Sequence, residues 1–553
     1  MNNLSNELVL DGADWAVFVV YLLVIALIAF WSGRGRKTTA QEYFLAGDSV
    51  PWFVVGTSMV VSMLSTEQMV GQNGASYKHG FCVAIADIYL LPPITLLVWI
   101  FLPIYLRRRV MTIPQFLELR YGAVLRDIFS IVTVVSYPLV FLSMVLYTGG
   151  TLLSALFPFH IVYDSHDISV HFWSVILVLS TAIYTTWGGL KAVVWTDFVQ
   201  FFVLAFAGAA IFLFGLHAID GGTDLGFIWR GWDRLLTDQN ERFHLVKAAD
   251  HPLVPWPSLF MRIMTTQLFY HCANQFIVQR TLAAKSDWDA RMGALSFGVV
   301  GLLVPFVDLF PGMIAYQLNP NLDEADSALA YVMLAVVPLG WGIRGLILAG
   351  LAAAIMSTLS SLINSTATVF TLDIYQKRIR PQSTEKHLLK VGRISCFVTS
   401  IIALAWTPLI GSYELVFEYF QAFVSYIAAP SGAVFLLGVF WRRATHKAAV
   451  TAMVVGLPFC LVTEILGKVW ESFPRIPFVY LSFVGWLISL VTMVVVSLLD
   501  RPPEQERIKD LLWDVSTLRE PTDGGKRRPW YQRLWFWYVL FAAAWLVLIL
   551  RFW

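Results

Sequence analysis

The chain has 553 residues, of which 58% are hydrophobic and only 14% are charged, whereas about a quarter of the residues of a soluble domain are charged. So few polar residues cannot cover a water-soluble globule of this size, and we expect lipid to be the outer solvent. The formal net charge is +2 and no basic run alternates with aromatic residues, so nothing indicates a nucleic-acid partner.

Apolar runs of about 20 residues, the length that crosses a bilayer as a helix, recur along the whole chain. Each should be helical, because lipid offers the backbone no hydrogen-bond partner. The fold class predicted is therefore an all-α polytopic membrane protein. Its 14 predicted spans are 15–32, 53–77, 81–106, 127–156, 172–187, 193–216, 256–279, 292–317, 344–375, 391–409, 414–440, 447–469, 477–499 and 534–553.

Lysine and arginine are concentrated in alternate connections, for example 107–109 and 377–380. Such connections are usually cytoplasmic, and an even number of spans then predicts that both termini are external. The whole chain, 1–553, is predicted to be one membrane domain. It has a leading helix (15–32) and three trailing helices within 447–553, which include a cytoplasmic connector at 500–533. Short external loops favour a plasma membrane, specifically a bacterial inner membrane.

Two predicted spans are interrupted by polar residues. Span 53–77 contains Glu67 and Gln68, and span 256–279 contains Gln267 and His271. The two lie five spans apart and so run in opposite directions, which is typical of inverted repeats whose broken helices form a transport site. The repeats would be 53–216 and 256–440. The alternative is a pair of ordinary helices with polar faces turned into the bundle.

Span 344–375 is rich in hydroxyl groups. Ser357, Ser360, Ser361 and Asn364 recur at spacings of three and four residues, so they share one helix face. Hard cations prefer several oxygen ligands, and this face could supply them to sodium. The alternative is a face of small residues that lets helices approach closely.

Charge inside a bilayer is costly and usually functional, and the candidates within predicted spans are Glu67, Asp87, Asp197, Asp308 and His271. For Asp197, the alternative is an interfacial carboxylate paired with Lys191 or Arg280. Amide and carboxylate groups can serve sugar hydroxyls as donors or acceptors, and aromatic rings can flank a sugar. Residues of these types within the spans are Gln68, Asp87, Gln267, Gln421, Tyr270 and Phe417. Hydrogen bonding between helices is the alternative role for the glutamines.

Several sequence strings, taken in order, resemble the sodium/solute symporter family, in particular its sodium/glucose cotransporter branch. They are EYFLAG (42–47), TIPQF (112–116), GGLKAVVWTD (188–197), QRTLAAK (279–285), the serine-rich span and FLLGVFW (435–441). The resemblance implies a ten-helix core of two inverted five-helix repeats. The first helix of each repeat is broken, one span precedes the core, and three follow it.

The resemblance also implies where Na⁺, the coupling ion, binds. A first sodium site falls on Val61, Leu64, Ala354, Ser357 and Thr358. A second site, which only some members carry, falls on Asp197, Ser360 and Ser361, so one Na⁺ is expected and two are plausible.

For the solute, the family's contacts fall on Gln68, Asp87, Gln267 and Gln421, with a gate at Tyr270 and His271 beside it. Glu67 and Phe417 complete the predicted solute site. Departures from the family pattern are Ala86, Asp87, Leu90, His271 and Gly301. They indicate a neutral sugar or polyol but not a copy of the galactose site. Arg262, near the outer end of its span, is the only arginine that could argue for a carboxylate.

The expected function is sodium-coupled uptake of a neutral sugar or polyol by alternating access, with lipid and a small solute as partners and no obligatory protein partner. The alternatives are a monocarboxylate, amino acid or vitamin as the solute, a transporter-like sensor, or proton coupling through Asp197 or Asp308. An enzyme is not expected, because the sequence lacks a Walker A motif, paired-cysteine zinc spacing and G-x-S-x-G.

Overall fold

The computed structural model describes residues 10–34, 39–157, 162–163, 166–251, 254–410, 416–470, 476–522 and 528–553. These residues are almost entirely helical, as the apolar composition requires of a chain surrounded by lipid. A two-residue antiparallel pair, β1 (Val162–Tyr163) with β2 (His166–Asp167), is the strand structure found in the described ranges.

The first part of the chain is a long leading helix followed by shorter helices. Residues Asp11 and Asp14 form a capping box that starts the leading helix. Two π-helical segments, Leu97–Phe101 and Tyr137–Leu142, each continue directly from one α-helix into the next. In chain order the helices are α1 (Gly12–Gly33), α2 (Ala40–Phe44), α3 (Trp52–Met63), α4 (Thr66–His79), α5 (Ile85–Ile88), α6 (Leu91–Leu96), α7 (Leu102–Arg107), α8 (Ile113–Tyr121), α9 (Ala123–Ser136) and α10 (Ser143–Leu156).

The interruption predicted in span 53–77 is present between α3 and α4. Leu64 (φ −82°, ψ 89°) and Ser65 (φ −101°, ψ 176°) are not helical, and the helices on either side are bent by 61°. A helix end leaves backbone carbonyl and amide groups without helical partners. This break therefore exposes backbone polar groups inside the bundle.

Predicted spans 172–187 and 193–216 form one helix, α11 (Ser169–Asp220), of 52 residues. At 1.5 Å per residue its length is about 78 Å, more than twice the hydrocarbon thickness of about 30 Å. The helix is kinked at Gly189 (φ 59°, ψ −159°). A side chain there would approach the Tyr43 carbonyl oxygen to 2.5 Å, so the kink requires glycine on grounds of both conformation and space.

Span 256–279 is interrupted as predicted. After residue 262 the chain forms two π-helical turns, Ile263–Gln267 and Phe269–Ala273, and is extended at Asn274 (φ −83°, ψ 120°). Span 292–317 is also bent, by 43°, where Pro305 begins a new helix; the sequence analysis treated it as continuous. The helices of this part are α12 (Phe227–Asp238), α13 (Pro257–Arg262), α14 (Gln275–Leu282), α15 (Asp287–Gly301), α16 (Pro305–Asp308), α17 (Phe310–Leu318), α18 (Ala328–Val336) and α19 (Ile343–Val369).

The last part of the chain is mainly four long helices and a fifth after a connector. The connector 500–533 contains one short helix and several 3₁₀ turns in its described residues. The helices are α20 (Glu385–Ile410), α21 (Val416–Phe440), α22 (His446–Val469), α23 (Phe478–Leu499), α24 (Gln505–Ile508) and α25 (Leu534–Phe552).

By length and composition, nine helices in the described ranges can cross a membrane, or 11 if each of the two bent pairs counts as one span. The predicted number of 14 spans is larger than 11 for two reasons. Helix α11 covers two predicted spans but counts once, and the spans 81–106 and 256–279 are divided into segments too short to count. The hydroxyl-rich helix α19 lies at the centre. It packs against α11, α3, α1, α10 and α20, and nearly all of its residues are buried.

Candidate functional site

The end of α3 meets the hydroxyl face of α19. The Thr358 hydroxyl lies 3.3 Å from the Ser62 carbonyl oxygen and 3.2 Å from the Ala354 carbonyl oxygen. Val61 adjoins Ser62, and Leu64 is at the break itself. The residues of the predicted first sodium site therefore lie on two elements that are in contact here.

Asp197 of α11 lies at the same junction and is fully buried. Its carboxylate accepts hydrogen bonds from Ser58 Oγ at 2.5 Å and from Ser357 Oγ at 2.7 Å, and Ser62 Oγ lies 3.4 Å away. Three elements, α3, α11 and α19, are thus joined through one carboxylate.

Arg280 of α14 pairs with Asp197, the partner that the sequence analysis named as an alternative. Its Nη2 lies 3.4 Å from Asp197 Oδ2, and both side chains are buried. The same guanidinium donates to Ser58 Oγ at 2.7 Å, to Ser361 Oγ and to the Phe276 carbonyl. A buried carboxylate needs such compensation, and the ion pair with Arg280 offsets the cost of burying the Asp197 charge.

The predicted second sodium site is assembled only in part. Ser361 is close to Ser62 Oγ, at 3.0 Å, and to Arg280. The Ser360 hydroxyl instead donates to the Ser357 carbonyl of its own helix, at 2.9 Å. Ser58, Ser62 and Arg280 belong to this cluster but were not predicted as site residues from the sequence. The four-residue spacing of the two serines on α3 and the arginine within QRTLAAK were the available signals.

A small cavity lies beside the break between α3 and α4. Two predicted solute-binding residues, Gln68 and Asp87, line it. The positions that depart from the family pattern at Leu90 and Gly301 line it as well. The other lining residues are Val60, Met63, Leu64, Phe297 and Val304.

Several buried polar atoms around this cavity have no hydrogen-bond partner within the part of the chain that the structure describes: Gln68 Oε1, Gln72 Oε1, Asp87 Oδ2 and His271 Nε2. An unsatisfied buried polar group costs about 1–3 kcal/mol. Such a concentration is chemically suited to a ligand with many hydroxyl groups.

The two π-helical turns Ile263–Gln267 and Phe269–Ala273 carry three more of the predicted residues, Gln267, Tyr270 and His271. His271 Nδ1–H donates to the Gln267 carbonyl at 2.9 Å, and the His271 ring lies 5.7 Å from that of Phe297, which lines the cavity. Tyr270 contacts His271, with ring centroids 6.2 Å apart. These residues form the layer next to the cavity.

The remaining predicted solute residues are Gln421, Glu67 and Phe417. Gln421 is partly buried on α21, which packs against both π-helical turns between 263 and 273. The side chains of Glu67 and Phe417 lie outside the described residues. Arg262, predicted near the outer end of its span, is the last residue of α13 and is partly buried.

The carbonyl and hydroxyl oxygens where α3 meets α19 fit a hard monovalent cation such as Na⁺, carried as cargo, and the polar side chains of Gln68 and Asp87 line the adjoining cavity. Interrupted helices that face such sites inside a multi-pass bundle define a secondary active transporter. The sequence model of the sodium:solute symporter family matches residues 43–456, and the chain belongs to that family. It is a sodium-coupled symporter and a multi-pass membrane protein.

Among curated proteins, the chain is 34% identical to a sodium/glucose cotransporter from Vibrio parahaemolyticus over 84% of the chain and 87% of that protein. It is 30% identical to sodium/myo-inositol cotransporter 2 from Oryctolagus cuniculus, over 93% of the chain and 80% of that protein.

Among solved structures, the substrate-bound outward-open structure of a Na⁺-coupled sialic acid symporter superposes with a TM-score of 0.76. It is 20% identical and covers 90% of this chain and 99% of its own. The nucleobase-cation symporter Mhp1 superposes with a TM-score of 0.51 at 13% identity, over 86% of this chain and 99% of its own. These likenesses show a shared transporter fold.

Proposed function

We propose that this symporter carries a neutral sugar or polyol into the cell by alternating access, driven by sodium. The observation that carries the proposal is the cavity lined by Gln68 and Asp87 beside the break in α3–α4, with unsatisfied polar atoms around it. The curated relatives are named for glucose and myo-inositol, which both present many hydroxyl groups to such a cavity.

The proposed first sodium site uses the carbonyl groups of Val61, Leu64 and Ala354 with the hydroxyl groups of Ser357 and Thr358. Its support is the contact between the Thr358 hydroxyl and the Ser62 carbonyl at 3.3 Å, which holds α19 against the broken helix. Sodium bound here would hold the break in one arrangement and so organise Gln68 and Asp87 for the solute.

The proposed stoichiometry is one Na⁺ per cycle, and the alternative is two. A second Na⁺ at Asp197, Ser360 and Ser361 requires Arg280 to move, because its guanidinium already contacts Asp197 and Ser361. Each Na⁺ that enters adds about 2.3 kcal/mol per 100 mV of membrane potential. The charge moved per solute therefore decides between one and two ions.

The proposed architecture keeps 14 spans, external termini and two inverted repeats, 53–216 and 256–440. The length of α11, about 78 Å, supports two spans that meet at Gly189. Breaks at Leu64–Ser65 and at Asn274 support the broken first helix of each repeat. A bacterial inner membrane is the proposed location, and a curated relative from Vibrio supports it.

The test is uptake of labelled solutes into proteoliposomes with and without an inward sodium gradient. The panel contains glucose, galactose, mannose, fucose, myo-inositol, proline, pantothenate and lactate. Sodium-driven uptake of a sugar or inositol supports the proposal. Uptake of lactate, proline or pantothenate alone favours the alternative of a non-sugar solute and refutes the roles of Asp87 and Gln68. Solute binding without any uptake favours a sensor.

A further inference from the structure

Two bent spans meet at the same cavity, and each consists of a first half and a second half. The break between α3 and α4, where the helices are bent by 61°, supplies Met63, Leu64 and Gln68 to the cavity. The 43° bend after α15 supplies Gly301 and Val304. The cavity therefore lies where the two first halves, α3 and α15, join the two second halves, α4 and α17.

The two first halves are fixed to each other. The Asp289 carboxylate of α15 accepts a hydrogen bond from the Trp52 N–H, at the start of α3, at 3.1 Å. The helices also approach closely, because a Cβ at Gly56 would lie 2.0 Å from Ser296 Oγ. The halves that precede the cavity therefore form one packed pair.

The two second halves are joined by buried side chains of α4. Asn73 Oδ1 accepts at 2.8 Å from the Gly312 N–H, which also reaches the Leu309 carbonyl at 3.0 Å. Gly312 is in the first turn of α17, where N–H groups lack the usual helical partner. Asn73 Nδ2 donates to the Met69 carbonyl of its own helix at 2.5 Å, and Ser76 Oγ donates to the Leu309 carbonyl at 2.8 Å. Both side chains of α4 are fully buried, so they serve backbone groups that the bend leaves free.

The contact between α4 and α17 continues to the other end of α17. The Tyr77 hydroxyl donates to the Asn319 carbonyl at 3.0 Å and accepts from the Leu322 N–H at 2.8 Å. At the start of α17 the two backbones touch, because a Cβ at Gly312 would lie 2.1 Å from the Asn73 carbonyl oxygen. Helix α4 therefore holds α17 at both of its ends.

Arg242, in the loop before α13, connects the same two helices a further time. Its guanidinium donates to the carbonyls of Ser76, Tyr77 and Lys78, in the last turn of α4, at 3.0, 2.5 and 3.4 Å. The guanidinium carbon lies 3.7 Å from the ring centroid of Tyr316 on α17. An arginine at a helix C-terminus satisfies its last carbonyls, and its stacking on tyrosine is attractive. The loop thus reinforces the pairing of α4 with α17.

We propose that α4 and α17 move as one unit at the cavity and that Asn73 and Ser76 are positioning residues for the solute. Gln68 is on α4 and Val304 precedes α17, so these contacts keep two walls of the cavity at a fixed separation. Without them, the solute itself has to bring the walls together, which lowers its apparent affinity. The proposed sodium ligands lie on α19 and at the end of α3, before the break, and should be unaffected. The proposal rests on the proposed function only in taking this cavity as the solute site.

The first test is electron paramagnetic resonance of the full-length protein in liposomes, without solute, with spin labels at Lys78→Cys and Asn321→Cys. Both positions are exposed, and the four native cysteines are buried. The dipolar broadening between the labels should be the same in sodium and in potassium, and Asn73→Ala with Ser76→Ala should widen the range of distances. Equal spectra with and without these two substitutions would overturn the proposal, as would a distance that differs between sodium and potassium. No solute is needed, so this failure differs from failure of the proposed function.

The second test is sodium-driven uptake of whichever solute is carried. Asn73→Ala and Ser76→Ala should each raise the solute concentration for half-maximal uptake about two- to tenfold. The sodium concentration for half-maximal uptake, at saturating solute, should stay within about twofold of the wild-type value. Ser400→Ala is the matched control and should change neither value, because the buried Ser400 hydroxyl donates to the Cys396 carbonyl of its own helix at 2.9 Å.

Two results of the uptake test would overturn the proposal. One is an unchanged solute requirement, or equal losses of sodium and solute affinity, in both variants at α4. The other is a folded variant without uptake at any solute concentration, because a high concentration should compensate for weaker positioning.

Discussion

Replacing Ser357 by alanine is the most direct perturbation of the sodium site. The Ser357 hydroxyl is fully buried. It donates to Asp197 Oδ1 at 2.7 Å and lies 3.4 Å from Ser62 Oγ. The substitution removes one proposed sodium ligand and one hydrogen bond to a buried carboxylate, while leaving the cavity residues unchanged.

The expected size of the effect follows from the charge of the groups involved. A hydrogen bond to a charged group contributes about 1.5–3 kcal/mol, and each 1.4 kcal/mol is a factor of ten in affinity. The sodium concentration for half-maximal uptake should therefore rise about 10- to 150-fold in Ser357→Ala. The solute concentration for half-maximal uptake, measured at saturating sodium, should change by less than about threefold.

The assay is solute uptake into proteoliposomes as sodium and solute are varied separately. Ser431→Ala is the matched control, because the buried Ser431 hydroxyl donates only to the Ile427 carbonyl of its own helix, at 2.7 Å, among the contacts described. The control should leave both concentrations near their wild-type values. Equal losses of sodium and solute affinity in Ser357→Ala, or an unchanged sodium requirement, would refute the assignment.

Three further predictions test other parts of the site. Asp197→Ala and Arg280→Ala should each destabilise the detergent-solubilised protein by about 3–5 kcal/mol, because each leaves a buried charge unpaired. The double variant should lose less than the sum, measured by thermal unfolding; additive losses would contradict the pairing. Gln421→Ala should raise the solute concentration for half-maximal uptake about tenfold and leave the sodium requirement unchanged, and the reverse pattern would count against its role. The hydrogen bond from Arg230 holds the pKa of Asp220 below its ordinary value, so the contact between the end of α11 and α12 loses that stabilisation as the pH falls through the lowered pKa. Arg230→Ala should remove this acid-dependent part of thermal stability, and an unchanged pH profile would show that the pair is screened by solvent.

The helices and the first helix break could be predicted from the sequence because they depend on local composition. Apolar length determines a span, and the polar run around Gln68 marks the interruption that the structure has at Leu64–Ser65. The bend after Gly301 was not predicted, although Pro305 follows it by four residues. Few polar residues surround this bend, so the hydropathy of the stretch is that of a continuous helix.

The partners of the site residues could be predicted less well, because they are set by packing between distant segments. Asp197 was identified as an intramembrane carboxylate, yet its contact with Ser58 joins residues 139 positions apart. A serine in an apolar helix has the same local pattern whether it bonds to its own helix, as Ser360 does, or to a carboxylate, as Ser357 does. Only the three-dimensional arrangement separates these roles.

The arrangement around Asp197 also gives a physical basis for coupling. Its carboxylate accepts hydrogen bonds from Ser58 of α3 and Ser357 of α19 and pairs with Arg280 of α14. Helices α3 and α14 each belong to one of the two interrupted spans. A cation that binds the Ser357 oxygen uses its lone pairs while the O–H still donates to Asp197, so its binding energy depends on how the three helices are placed. Because coupling between two ligands is reciprocal, any solute that favours one placement of these helices must change sodium affinity by the same factor. The carboxylate therefore links the two interrupted helices through contacts that are already made.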